Sequence, residues 1–330
     1  MLTYTLQRFG LALVTIWAIS VISFVIIQLP PGDFVDAYIA SLSASGSMVR
    51  QEEAQALRQL YGLDQPIWVQ YWKWASRVAQ GDFGTSMEWG RPVTEVLGDR
   101  LWLTVAVSLA AIFLTWGIAL PIGIYSAVRQ YSMADYAFTL IGFVGLAVPN
   151  FLLALIIMYF GFVLFDINVG GLFSSEYQLA PWSWAKAMDL MAHLPLPALI
   201  LALAGTAQLI RIMRANLLDE LRRPYVATAR ARGLAEWRVI VKYPVRAALN
   251  PFASTIGYLL PFVVSGSIVV SLVLSLPTVG PLLLRALVAQ DMFLAGTIVL
   301  LLGVLTVVGT FISDLILMWI DPRIRAGIHG

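Results

Sequence analysis

The chain has 330 residues, 59% of them hydrophobic and 12% charged, with a formal net charge of +2. Soluble globular domains carry roughly 25% charged residues, so this composition points to a chain buried in lipid, and the small net charge says little about partners. There is no cysteine, which excludes disulfide frameworks, thiol catalysis and thiolate metal sites; the two histidines, His193 and His329, lie far apart in sequence and read as solvated or interfacial.

A bilayer core of roughly 30 Å is crossed by about 20 apolar residues in a helix. A charge at mid-span costs about 2.5–3.5 kcal/mol on insertion scales. Stretches free of Asp, Glu, Lys and Arg therefore mark candidate spans. They fall at 9–29, 101–128, 136–165 and 194–210, at about 250–276 within the uncharged run 247–284, and at 292–313 with an extension past Asp314 to Ile320. The expected fold is all-α, a polytopic bundle of six helices. The first apolar run is longer than the 7–15 residues of a signal h-region, and no small-x-small site follows closely, so it reads as an uncleaved anchor.

Lysine and arginine set the orientation. Arg8, Arg129, the cluster from Arg211 to Arg246, and Arg323 with Arg325 fall on one side, whereas segment 30–100 is rich in Asp and Glu. Both termini are expected inside the cell. The expected divisions are an anchor span at 1–29, an outer segment at 30–100, a core of about five spans at 101–320 containing an inner loop at 214–249, and an inner tail at 321–330.

Within the outer segment, 51–60 is a good helix former with Glu52 and Glu53 in its first turn. Residues 66–78 have helical period and carry Trp68, Trp72 and Trp74, which read as an interfacial aromatic belt; a stacking surface for a sugar or aromatic group is the alternative. Ser132 and Asp135 have the spacing of a capping box, with Asp in place of the usual Glu or Gln. Pro149 and Asn150 interrupt the third span, where proline removes a ladder bond and kinks the helix. Such a kink serves either a translocation path or packing alone. Gln208, Ser265 and Ser267 are further candidates for lining a path, and equally for helix packing.

The chemistry that is missing narrows the function. No G-x-x-x-x-G-K-[ST] phosphate loop and no H-E-x-x-H occur. The expected spans carry no ionisable residue at mid-depth, which an ion-coupled secondary transporter needs. The sequence reads as a conduit that receives its energy from elsewhere.

The inner loop is the place to receive it. Residues 225–232 form a short helical stretch, Gly233 is a natural break because glycine tolerates positive φ, and a second helix begins near Ala235. Its apolar positions Leu234, Trp237, Val241 and Val245 step by 3, 4 and 4, and its basic positions Arg238, Lys242 and Arg246 by 4 and 4. Two short helices joined at a glycine make a knob that suits a groove on a partner protein. A cationic helix lying on anionic lipid is the other reading, and spacing alone leaves both open.

Here the chain resembles the permeases of the dipeptide/oligopeptide/nickel group of ABC importers. The resemblance rests on Tyr225, Val226, Ala227, Thr228, Ala229, Arg230, Ala231, Arg232, Gly233 and Leu234, which look like that group's coupling motif, followed by Arg246-Ala-Ala-Leu-Asn-Pro251. Further matches are Leu6 and Arg8, Leu29-Pro-Pro-Gly-Asp33 with one additional proline, Tyr61-Gly-Leu-Asp64-Gln-Pro66, Gly81-Asp-Phe-Gly-Thr-Ser86 with Arg91-Pro-Val93, and Asp321-Pro-Arg-Ile-Arg325. The resemblance implies a type I ABC importer permease: a non-catalytic, multi-pass subunit of a bacterial or archaeal plasma membrane, the inner membrane in a Gram-negative cell. It implies two cytoplasmic ABC ATPase subunits that bind ATP and Mg, a second homologous permease, a periplasmic or lipid-anchored substrate-binding protein, and no cofactor in this chain. Residues 225–234 would face the ATPase. Ala227, Thr228 and Ala229 stand where the general motif has Glu-Ala-Ala, so a glutamate contact is not carried over, and Tyr243-Pro244 replaces a frequent His-Ala pair. The expected cargo is oligopeptides; oligosaccharides or another non-peptide solute are the alternative within the same machinery. An ion-coupled secondary transporter is the rival of another class.

Overall fold

The computed structural model describes residues 2–44, 51–166, 170–253 and 267–320. Among them the regular structure is α-helical, with no strand and an isolated bridge between Thr85 and Pro92. It divides into two compact units, Leu2–Leu103 with Thr278–Val308 and Thr104–Pro277 with Gly309–Gly330.

The first unit contains α1 (Leu2–Gln28), α2 (Phe34–Ala44), α3 (Gln51–Tyr61), α4 (Ile67–Ala79) and α5 (Val93–Leu97). Its polar motifs are structural devices. The Asp33 carboxylate accepts the Asp36 N–H at 2.9 Å at the start of α2, and Arg58 donates to Asp33 and Asp36 at 2.8 and 2.6 Å. Asp82 accepts from the Gly84 N–H and from Arg77, both at 2.8 Å. The apolar core gathers Phe24, Phe34, Val35, Ala54, Trp74, Met87, Met292 and Leu300. Trp74 is 2% exposed, and its ring meets Phe24 at 5.7 Å. It is a core residue and not part of an interfacial belt, because Phe24 and Tyr71 pack on its ring and Gly296 lies against it. Trp68 and Trp72, one turn apart on the other face of α4, are 69% and 65% exposed.

The second unit is built around α10 (Pro195–Leu221), which packs against α7 (Met133–Ala147), α8 (Asn150–Phe165), α9 (Trp184–His193) and α13 (Pro244–Ala253). With α6 (Arg100–Val128) it makes a close crossing at Gly123, where a Cβ would lie 2.7 Å from that of Met213. Small residues let membrane helices approach in this way. Leu209, Met213 and Leu217 on α10, Ala119 and Ala127 on α6, and Val245 and Ala248 on α13 form the core here. Residues 267–273 form α14 in this unit, whereas α15 (Val279–Val288) belongs to the first unit and α16 (Met292–Ile320) has residues in both.

Among the described residues, four helices are long and apolar enough to cross a membrane: within α1, α6, α9 with α10, and α16. The pair α7 and α8 makes a fifth if it counts as one span. The expected span at about 250–276 lies largely outside the described residues. The third span departs from the sequence expectation of one kinked helix. Helices α7 and α8 meet at 103°. Val148 is extended, at φ −88° and ψ 121°, because the ring of a following proline disfavours the helical region. Pro149 then opens α8. The fourth span also differs: α10 runs on past Arg211 and Arg214 to Leu221. A charge ends burial in lipid, but arginine is a good helix former and does not end the helix.

Candidate functional site

The site begins where α10 ends. Arg222 and Arg223 form a turn, and Pro224 starts α11 (Pro224–Ala231), where its missing N–H is not needed. The Thr228 hydroxyl returns to the Pro224 carbonyl at 3.1 Å. Arg232 closes the helix and Gly233 follows at φ +73°, in the left-handed region that side-chain-bearing residues avoid. The chain reverses there into α12 (Glu236–Lys242).

Two contacts lock the pair. Val226 and Ala229 of α11 bury against Val239 of α12, with Tyr243 packed on them. Across the turn Arg230 and Glu236 form a forked ion pair, with nitrogen–oxygen distances of 2.6, 3.1 and 3.2 Å. The Arg230 guanidinium holds the Glu236 carboxyl below its ordinary range. At the other end the Tyr225 hydroxyl donates to the Glu220 carboxylate on α10. Desolvation first, and this bond second, push the Tyr225 phenol up to about 12.

The outward face of the knob carries Tyr225, Ala227, Thr228, Ala231, Arg232 and Leu234 from the sequence-read motif, all exposed. Trp237 and Val241 of α12 are also exposed, at 65% and 58%. Arg230 is exposed as well but tied to Glu236. The second helix is shorter than its periodicity suggests. It stops at Lys242, with Tyr243 as its C-cap (φ −113°, ψ −78°), and Pro244, which has no N–H to continue the ladder, opens α13. Val245 therefore joins the core while Leu234, Trp237 and Val241 stay outside, and Val239 and Ile240 make the inward contacts.

Behind the knob, α10 is clamped to α7. Arg214 donates to both oxygens of Asp135 at 3.1 and 3.0 Å, and Asp135 is 2% exposed. Ser132 caps α7 by accepting the Asp135 N–H, as its spacing predicts. The Asp135 carboxylate reaches back to the Tyr131 N–H at 3.0 Å, one residue beyond the reciprocal position in a capping box. The pairing with Arg214 has no local signal, because 79 residues separate the partners.

The residues read as a possible path lie apart from this cluster. Pro149 and Asn150 form the α7–α8 corner, Pro149 exposed and Asn150 half-buried. Gln208 is exposed on α10, and the nearby cavity between α7 and α10 is lined by Ala207, Ile210 and Arg211 instead. Ser267 is buried at the start of α14, and Ser265 lies outside the described residues.

Comparison with known proteins gives the family of the chain. The family described as binding-protein-dependent transport system inner membrane component matches residues 119–326, and its N-terminal companion matches residues 1–110. The oligopeptide transport system permease protein AppB of Bacillus subtilis (strain 168) is 34% identical over 98% of this chain and 100% of its own length. The glutathione transport system permease protein GsiC of Salmonella paratyphi A is 32% identical over 98% of this chain and 99% of its own. With its helical architecture and apolar spans, the chain belongs to the family of binding-protein-dependent transport inner-membrane components, the permeases of ABC importers, and is a multi-pass protein of the inner membrane.

Proposed function

We propose that this permease forms half of a translocation path for oligopeptides, and that residues 225–234 couple the path to two cytoplasmic ATPase subunits. The observation that carries the coupling is the α11–Gly233–α12 knob. It is braced from within by Val226, Ala229 and Val239, and its exposed Leu234, Trp237 and Val241 are apolar. A rigid body with an apolar outer face suits a cleft on another protein. The oligopeptide cargo is supported by the names of the relatives, one an oligopeptide permease and one a glutathione permease. In this reading ATP and Mg belong to the ATPases and this chain is non-catalytic. A second, homologous permease completes the path, and a substrate-binding protein outside delivers cargo. ATP binding closes the ATPases, the knob moves with them, and the bundle alternates between outward and inward access. The motion requires that the knob make different contacts in the two states.

The chain has no cysteine, so Ala227→Cys introduces a unique thiol on the exposed face of α11. Labelled with a maleimide–benzophenone reagent and irradiated, it is expected to cross-link to a co-purified ATPase subunit, with a yield that changes when ATP is added. Absence of any cross-link in an assembled, transport-active complex counts against the docking. For cargo, mass-spectrometric identification of what co-purifies with the cognate binding protein is decisive: peptides support the reading, and sugars overturn it.

A further inference from the structure

Between α7 and α10 lies a cavity of about 230 Å³. Its walls include Tyr131, Asp135, Tyr136, Thr139, Arg211 and Arg214. At its floor the helices come close: a Cβ on Gly142 would stand 3.5 Å from that of Ala207. The two arginines beside it differ in state. Arg214 is neutralised by the two-point contact with Asp135. Arg211, three residues earlier, is exposed and rests over the Phe143 ring, 5.5 Å from its centroid. Among the described residues it has no carboxylate partner.

The surroundings of this cation are apolar. Leu140, Ile141, Phe143 and Val144 on α7 are 65%, 60%, 56% and 54% exposed. Such a face on a membrane helix is suited to lipid tails. The cavity is thus a cationic, phenol-lined recess at the end of an outward apolar strip, on the side that the Lys and Arg bias assigns to the cytoplasm. Anionic lipids enrich that leaflet, and basic pockets between membrane helices hold their headgroups.

We infer that this recess binds one anionic phospholipid, its phosphate on the Arg211 guanidinium, its headgroup between the Tyr131 and Tyr136 hydroxyls, and an acyl chain along the exposed face of α7. Arginine suits this role because its planar donors engage phosphate oxygens while its face stacks on an aromatic ring. The lipid would bridge α7 and α10 beside the Asp135–Arg214 clamp, on the helix that leads into the coupling knob.

The test uses the full-length chain with its partner subunits in nanodiscs of phosphatidylcholine doped with phosphatidylglycerol, followed by gentle extraction and native mass spectrometry. The wild type is expected to retain phosphatidylglycerol with an apparent affinity roughly tenfold above that of Arg211→Gln, the loss expected for one charge-assisted hydrogen bond. Arg211→Lys should retain part of it, and Arg222→Gln, outside the recess, all of it. Thr139→Phe adds bulk at the mouth, leaves Arg211 in place, and is also expected to release the lipid, which covers the case in which Arg211→Gln fails to assemble. Equal retention by Arg211→Gln and the wild type, or by Thr139→Phe, overturns the proposal. So does equal competition by soluble glycerol phosphate, which would make the site one for free phosphate. Loss of the second permease from Arg211→Gln with lipid retention unchanged also overturns it, since Arg211 would then be pairing with a partner's acid.

Discussion

Asp135 shows how a residue in the first turn of a helix governs the unit around it. It is almost fully buried and accepts from Arg214 and from the Tyr131 backbone. Removing one partner of such a pair strands the other, at a cost of about 3–5 kcal/mol when both are buried. Arg214 keeps 28% side-chain exposure, so Asp135→Ala is expected to cost about 3 kcal/mol, at the lower end. The double variant Asp135→Ala/Arg214→Ala should cost less than the sum of the single variants, and thermal unfolding in detergent measures both. Additive losses would mean the two side chains act independently. Trp74 supplies a second residue-scale contrast. Trp74→Ala should cost about 3–5 kcal/mol, the range for emptying an aromatic core site, while Trp68→Ala on the exposed face should stay within about 0.5 kcal/mol. Similar losses for both would place Trp68 in an unrecognised contact.

At the scale of elements, the knob depends on its glycine turn. Gly233 sits at φ +73° with open space around it, so a side chain there meets backbone strain and not a clash. Gly233→Val is expected to cost roughly 1–2 kcal/mol locally and to reorient α12 against α11. The complex should assemble and hydrolyse ATP while uptake falls; unchanged uptake in an assembled complex removes Gly233 from the coupling mechanism. The Arg230–Glu236 pair braces the same turn. Since Glu236 titrates lower in the folded knob than in the unfolded chain, the pair's contribution is complete above the ordinary Glu pKa of about 4.3. It is lost as pH falls through the lower, folded value. Both side chains are about half exposed, at 45% and 54%, which limits the contribution to less than about 1 kcal/mol. The pair therefore does not titrate between pH 6 and 8, so Glu236→Gln should leave the shape of the pH profile of uptake over that range unchanged. The α7–α8 corner is the other element with a local cause. Pro149→Ala frees Val148 to become helical, so spin labels placed on α7 and α8 in this cysteine-free chain should move apart. An unchanged distance would mean that packing against α10 alone holds the corner.

For the whole molecule, α10 joins several of these features along one helix. It carries the Arg214 clamp, lines the recess at Arg211, crosses α6 at Gly123 and ends at the knob. None of these roles shows in its own stretch of sequence, where it reads as a span stopping at its first arginine. What the sequence determined is whatever depends on neighbours along the chain. Uncharged runs placed α1, α6 and α16, since lipid rejects charge whatever the fold. Ser132 capped α7 and Gly233 broke the knob, because capping and φ preferences act within a few residues. Tertiary structure alone decided the 103° corner, the burial of Trp74 against Gly296, the division of the apolar series between an exposed Trp237 and a buried Val245, and the pairing of Asp135 with Arg214. Each of these turns on which atoms from distant segments fill the same space. Periodicity identifies a helix and the faces it has to offer, and only packing selects the face that is buried.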